Sequence, residues 1–276
     1  MCCFAGFTGT AVRPPTLWER LLGRTPEASH LEVSGTSIFA RMESGGSQVI
    51  AYAMRLTVPG DVAMILPLPV RAGSGDDAVA FVSLEEHPRF FADLDALFVP
   101  VSRGLEASAL SFAPQSMLAV HDVGAFEASY VPSMRDFDRL DGRFRIDDSV
   151  WEELGAYDDY GFAVFRLKPM HGAAVHPMAF RFPTRDAARL FFPTVHVHDG
   201  RAHPTAHFDH RLTYDPGDVP VDANEPARFA NGDERSARAP VHAYAGIVTP
   251  GRLLARRTLA GELPNGDTWI VLDEQA

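Results

Sequence analysis

Lysine is almost missing from this chain: Lys168 is the only one, and every other basic residue is arginine. Cysteine is confined to the neighbours Cys2 and Cys3, which excludes a disulfide framework and suits a reducing compartment. No run approaches the 18 or so apolar residues of a membrane helix, and the start lacks a basic segment followed by an apolar one, so a cytoplasmic location is expected. Basic clusters are wanting too. The formal net charge is -11, which argues against nucleic acid or an anionic membrane as partner. There is no internal repeat.

What is present is apolar residues enough, 46% of 276, to build a substantial core. We expect a single domain over 1–276 with an insertion at 11–30 and a long surface loop at 215–240, the latter rich in Pro, Gly, Asp, Asn and Arg. Thr36 to Met42 and Gln48 to Val58 flank Ser44-Gly45-Gly46-Ser47, which reads as a β-hairpin. Ala63 to Val70 is an apolar strand whose Pro67 and Pro69 mark an edge or an exit. Further strands are expected at Met117 to Val123, Gly161 to Lys168, Ala174 to Phe182, Phe192 to His198, Val241 to Val248 and Thr268 to Leu272. Short helices are expected over Pro88 to Leu97, after Ser133 and after Asp148, with a helical turn over Thr184 to Leu190. The fold class is therefore α+β, with antiparallel or mixed sheets, a few short helices and long loops.

The segment from His196 to His210 carries five of the eleven histidines. Asp199-Gly200 between alternating residues signals a tight hairpin. A two-residue loop there sets His196 opposite His203 at a Cβ separation of about 5 Å and leaves His198 on the same face. Three neutral imidazoles with one position open to water suit a catalytic divalent metal, zinc foremost, and point to hydrolytic chemistry on a small molecule or peptide. Asp199 and Asp209 are placed to orient a ligand imidazole or take a proton. His207 and His210 point to opposite strand faces, so one of them can join, and His207 is included as a candidate ligand. The His-x-His spacing is similar to the first motif of the cupins, although Ala202-His203 stands where that family has its Glu. A polar sheet face carrying several histidines without any ligand is the plain alternative.

A second chemistry sits at the start. Removal of Met1 would give Cys2 a free α-amine beside its thiol, and the amine can act as base for its own side chain. Met1-Cys2-Cys3-Phe4-Ala5-Gly6 followed by Phe39-Ala40-Arg41 resembles the cysteine-initiated amidases, which implies Cys2 as nucleophile and Arg41 as support, with Met42 and Glu43 departing from that family's Asp and Asn. The alternative is that both cysteines are small apolar residues of a packed strand.

The cysteine-initiated strand, Ala63-Met64-Ile65-Leu66-Pro67-Leu68-Pro69, the segment Tyr160 to Pro169 and His176-Pro177-Met178-Ala179-Phe180 together resemble a bacterial family known only as a domain of unknown function. The resemblance implies a shared sheet architecture and no chemistry. A non-catalytic binding or scaffold protein, with the long loops and the proline-bearing edge as partner surfaces, is the remaining possibility.

Overall fold

The computed structural model describes residues 3–5, 32–58, 62–98, 126–139, 157–167, 170–174, 177–197, 203–217, 235–240 and 242–272. In chain order the strands are β1 (Cys3–Ala5), β2 (Glu32–Glu43), β3 (Ser47–Val58), β4 (Val62–Leu68), β5 (Ala80–Ser83), β6 (Phe126–Val131) and β7 (Gly161–Leu167). They continue with β8 (Met170–Ala174), β9 (Met178–Pro183), β10 (Arg189–Phe192), β11 (Thr205–Tyr214), β12 (Arg235–Arg238), β13 (Leu253–Pro264) and β14 (Thr268–Val271). One α-helix, α1 (Phe90–Ala96), and a 3₁₀ helix over Met134–Arg139 join them.

The hairpin of β2 and β3 is the spine of the larger sheet. Gly45 and Gly46 hold φ of +86° and +73° in the connecting turn, a conformation glycine reaches without a Cβ penalty. The sheet runs β12-β13-β11-β2-β3-β9-β5, with β8 continuing alongside β3 past the end of β9. β11 and β2 pair in parallel and the other described pairs are antiparallel, so the sheet is mixed. A second sheet, β1-β4-β7-β6, packs one face against it, and β10 with β14 form a two-stranded ribbon.

Alternation along each strand builds the layers. Ile38, Ile50, Tyr52 and Phe180 of the large sheet meet Met64, Leu66 and Phe165 of the small one in the central core. On the outer face of the large sheet, Phe39, Val49 and Ala51 are covered by Phe90 and Leu94, one turn apart on α1, and by Tyr244 and Ile247. On the outer face of the small sheet, Ile65, Phe162 and Val164 lie under Phe137, Val195 and Val197. The α+β expectation holds in its sheets, which dominate, while helix is reduced to α1 and the 3₁₀ turn among the described residues. No helix of the described residues is long and apolar enough to cross a membrane.

Several boundaries differ from the sequence reading. The strand expected at Phe192 to His198 ends at Phe192, because β10 begins at Arg189 to pair with β14. That pairing also leaves no helical turn over Thr184 to Leu190. Val241 to Val248 is no strand among its described residues: Tyr244 and Ala245 hold φ of +46° and +55°, and Tyr244, Ile247 and Val248 are buried at the i, i+3, i+4 spacing of a turn. The closing strand is instead β13, whose outer half alternates half-buried and exposed positions and so gave no apolar signal. Within 215–240, residues 235–238 form edge strand β12 rather than loop. The expected insertion at 11–30, the strand at Met117 to Val123 and the helix after Asp148 lie outside the described residues.

Candidate functional site

Asn265-Gly266 ends β13, and Asp267 leads into β14. An Asn-Gly pair commonly closes a hairpin, yet β13 pairs with β11 while β14 pairs with β10, so this turn carries the chain from one sheet to another. The Asn265 side chain is thereby free for other contacts. Its Oδ1 accepts from the His196 N–H at 2.8 Å, and its Nδ2 donates to the carbonyls of His196 at 2.8 Å and His203 at 2.9 Å. The main chain of His196 thus pairs with a carboxamide where direct pairing with His203 was expected. Asn265 also donates its own N–H to the Pro204 carbonyl.

The His196 side chain is buried against the Phe208 ring, 4.4 Å between centroids, and stacks on His210 at 5.1 Å with the planes 25° apart. Even positions of β11 face inward, so His210 is fully buried and His207 is exposed. His210, rather than His207, therefore shares space with His196. The Asp209 N–H donates to His210 Nδ1 at 3.3 Å, which leaves the proton of a neutral ring on Nε2. The exposed Asp209 carboxylate has Oδ1 3.5 Å from that same Nδ1 and accepts the Gly35 N–H through Oδ2 at 2.5 Å, clipping β11 to β2. His207 Nδ1 lies 3.9 Å from Glu262 Oε1, and His203 is exposed. Cys2, His198 and Asp199 lie outside the described residues. Among the described residues no three His, Cys, Asp or Glu side chains gather in a metal-binding group.

Beside Asn265 opens a shallow cleft of about 330 Å³, lined by Phe208, Leu259, Leu263, Pro264 and residues 265–268. Among its described lining residues Asp267 is the one ionisable group. Asp267 Oδ2 accepts from the Tyr157 hydroxyl at 2.7 Å, and Oδ1 accepts from the N–H groups of Thr194 at 2.9 Å and Val195 at 3.1 Å. Burial of the carboxyl raises its pKa and outweighs these hydrogen bonds, which lower it, so that it stands at about 6, although the residue keeps part of its surface. A carboxyl with a raised pKa beside a cleft is a candidate for general acid–base work. Sequence reading did not single out Asn265, Asp267 or Tyr157 as site residues. Their association spans 69 to 110 residues and leaves no local pattern.

No protein-family model matches this sequence, and neither does any curated protein. Among solved structures, baculovirus P35 is similar at a TM-score of 0.46 and 13% identity, over 88% of this chain and 98% of that one. A chain of a caspase-8/P35 complex gives 0.42 and 12%, over 87% and 96%. A mutated baculovirus P35 after caspase cleavage gives 0.43 and 14%, over 87% and 100%. With TM-scores below 0.5, these likenesses assign no activity to this chain.

Proposed function

We propose that the protein is a hydrolytic enzyme whose reaction centre is the cleft at the Asn265–Asp267 turn, served by a divalent ion, zinc foremost, on the histidine-rich stretch. The observation that supports this best is the joining of two features on one turn. Asn265 holds the main chain at His196 and His203, and two residues on Asp267 offers a carboxyl with a pKa near 6. A divalent ion bound there would supply a nucleophilic water near neutral pH, and Asp267 would serve as the proton carrier for the cleft's ligand. His196 and His203 are the described candidates for the ion, with His198 as the third from the sequence pattern.

Hydrolysis of p-nitrophenyl acetate and bis(p-nitrophenyl) phosphate by untagged protein tests this reading. Turnover that falls at least tenfold in Asp267→Asn and in His196→Ala/His198→Ala supports it, and rates equal to wild type in both overturn it.

One observation favours a second reading, a non-catalytic binding protein. β5 ends the described order of the large sheet and bears Phe81, 36% exposed although its ring packs edge-on to Phe165. An apolar ring on an edge strand suits strand addition by an extended peptide. Co-purification of a peptide or protein lost in Phe81→Asp, with hydrolysis absent, supports this reading in place of the first.

A further inference from the structure

A second pair of histidines lies far from the cleft. His87, half-buried before α1, and His242, exposed before the 244–247 turn, are 155 residues apart in sequence, yet His242 Nε2 stands 3.3 Å from His87 Nδ1. Their rings cross at 72° with centroids 4.9 Å apart. Metal–nitrogen bonds of about 2.0–2.1 Å at a tetrahedral angle place two ligand nitrogens about 3.3–3.4 Å apart. The pair has that spacing.

The frame around it is held from several sides. His87 donates its N–H to the Leu84 carbonyl at 2.9 Å, and its own carbonyl accepts from Phe90 at 3.0 Å. On the facing segment, the Tyr244 ring packs edge-on against both imidazoles, 5.5 Å from His87 and 4.6 Å from His242, and its hydroxyl donates to Asp93 on α1 at 3.1 Å. The next turn is clamped by Arg41, which donates to the carbonyls of Ile247 at 2.6 Å and Gly246 at 2.8 Å, and by Arg181, which donates to Gly246 at 3.1 Å. Glu43 ties these two arginines together. Tyr244 and Ala245 are kept at positive φ, a backbone cost that such surroundings must offset.

We propose that His87 and His242 form a two-imidazole site for a divalent transition-metal ion of the zinc and copper class. The ion takes the lone pairs of His242 Nε2 and His87 Nδ1, with the proton of each ring on its other nitrogen. Tyr244 keeps its proton, its hydroxyl being partly buried and bonded to Asp93, and so is a wall of the site and not a ligand. The exposure of His242 leaves the remaining coordination positions to water or to a small anionic ligand. Bound there, the ion joins the segment before α1 to the turn at 244–247. This site is independent of the cleft.

A hydrogen bond between two neutral imidazoles has the same length but uses one lone pair and one N–H, so metal uptake separates the two cases. Metal-free, untagged full-length protein carrying His196→Ala/His198→Ala, which removes the other candidate site, is titrated with Co²⁺ and with Zn²⁺. One equivalent is expected to bind, with cobalt d–d absorption, and to be lost on adding His242→Gln. His242 is exposed, so that substitution is expected to leave the fold intact, with far-ultraviolet dichroism unchanged from the parent protein. His242→Cys is expected to restore cobalt binding with a new sulfur-to-metal charge-transfer band. Uptake unchanged by His242→Gln, or no charge-transfer band with His242→Cys, overturns the proposal.

Discussion

The carboxamide of Asn265 pairs with the main chain of His196 as a neighbouring strand would, accepting its N–H and donating to its carbonyl, both at 2.8 Å. Asn265→Ala leaves the His196 N–H and two carbonyls without this partner and is expected to cost about 1–3 kcal/mol. Asn265→Asp keeps the acceptor but sets a carboxylate oxygen against the His196 and His203 carbonyls, so it should be no more stable than Asn265→Ala. Urea unfolding of the three proteins checks the order. Equal midpoints for Asn265→Ala and wild type would show that water replaces the carboxamide at no cost.

Asp267 makes stability depend on pH in a defined direction. Its folded pKa of about 6 lies above the ordinary aspartate value of about 3.9, so between these limits the folded protein holds a proton that the unfolded chain has lost. The contribution is full below about pH 4 and is lost as pH rises through about 6. Carboxylates held low, such as Asp159 beside Arg185, act in the opposite sense and lose their contribution as pH falls. The difference between wild type and Asp267→Asn isolates the first effect: wild type should lose stability relative to the variant from pH 4 to 6. A flat difference across that window would contradict the burial of this carboxyl.

Gln48 is fully buried and joins the large sheet to the β10 ribbon, donating to the Phe191 carbonyl at 2.6 Å and accepting the Phe191 N–H at 3.0 Å. Gln48→Leu conserves apolar volume and abandons both groups of Phe191, so a loss of about 1–3 kcal/mol is expected despite the more apolar side chain. Thermal unfolding provides the comparison. A variant at least as stable as wild type would mean that the ribbon holds its place by packing alone.

Gly161 lies against the Tyr130 ring, and a Cβ there would stand 2.5 Å from Tyr130 Oη and 2.7 Å from Cε2. Gly161→Ala is expected to lower stability by about 1–3 kcal/mol through overpacking between β6 and β7. An unchanged unfolding temperature would show that the Tyr130 ring swings aside freely.

Where pattern and pairing agree, the sequence was legible. The Gly45–Gly46 hairpin, α1, the start of β7 and the short helix after Ser133, whose hydroxyl bonds Asp136 at 2.7 Å, all follow from local chemistry. β13 was illegible because its solvent-facing half carries no apolar stripe, and its place is set by ten pairings with β11. The segment after Phe192 alternates like a strand, yet its partner at His196 is the side chain of Asn265. At the candidate site, local alternation separates His207 from His210, but only the tertiary arrangement puts His210 against His196 and brings Asp267 to Tyr157.

Elemental analysis of untagged protein beside its His196→Ala/His198→Ala variant bears most directly on the proposed activity. The account predicts that wild type carries one more equivalent of zinc or a similar ion than the variant, whatever the His87–His242 pair holds in both. Equal metal content in the two proteins would contradict it.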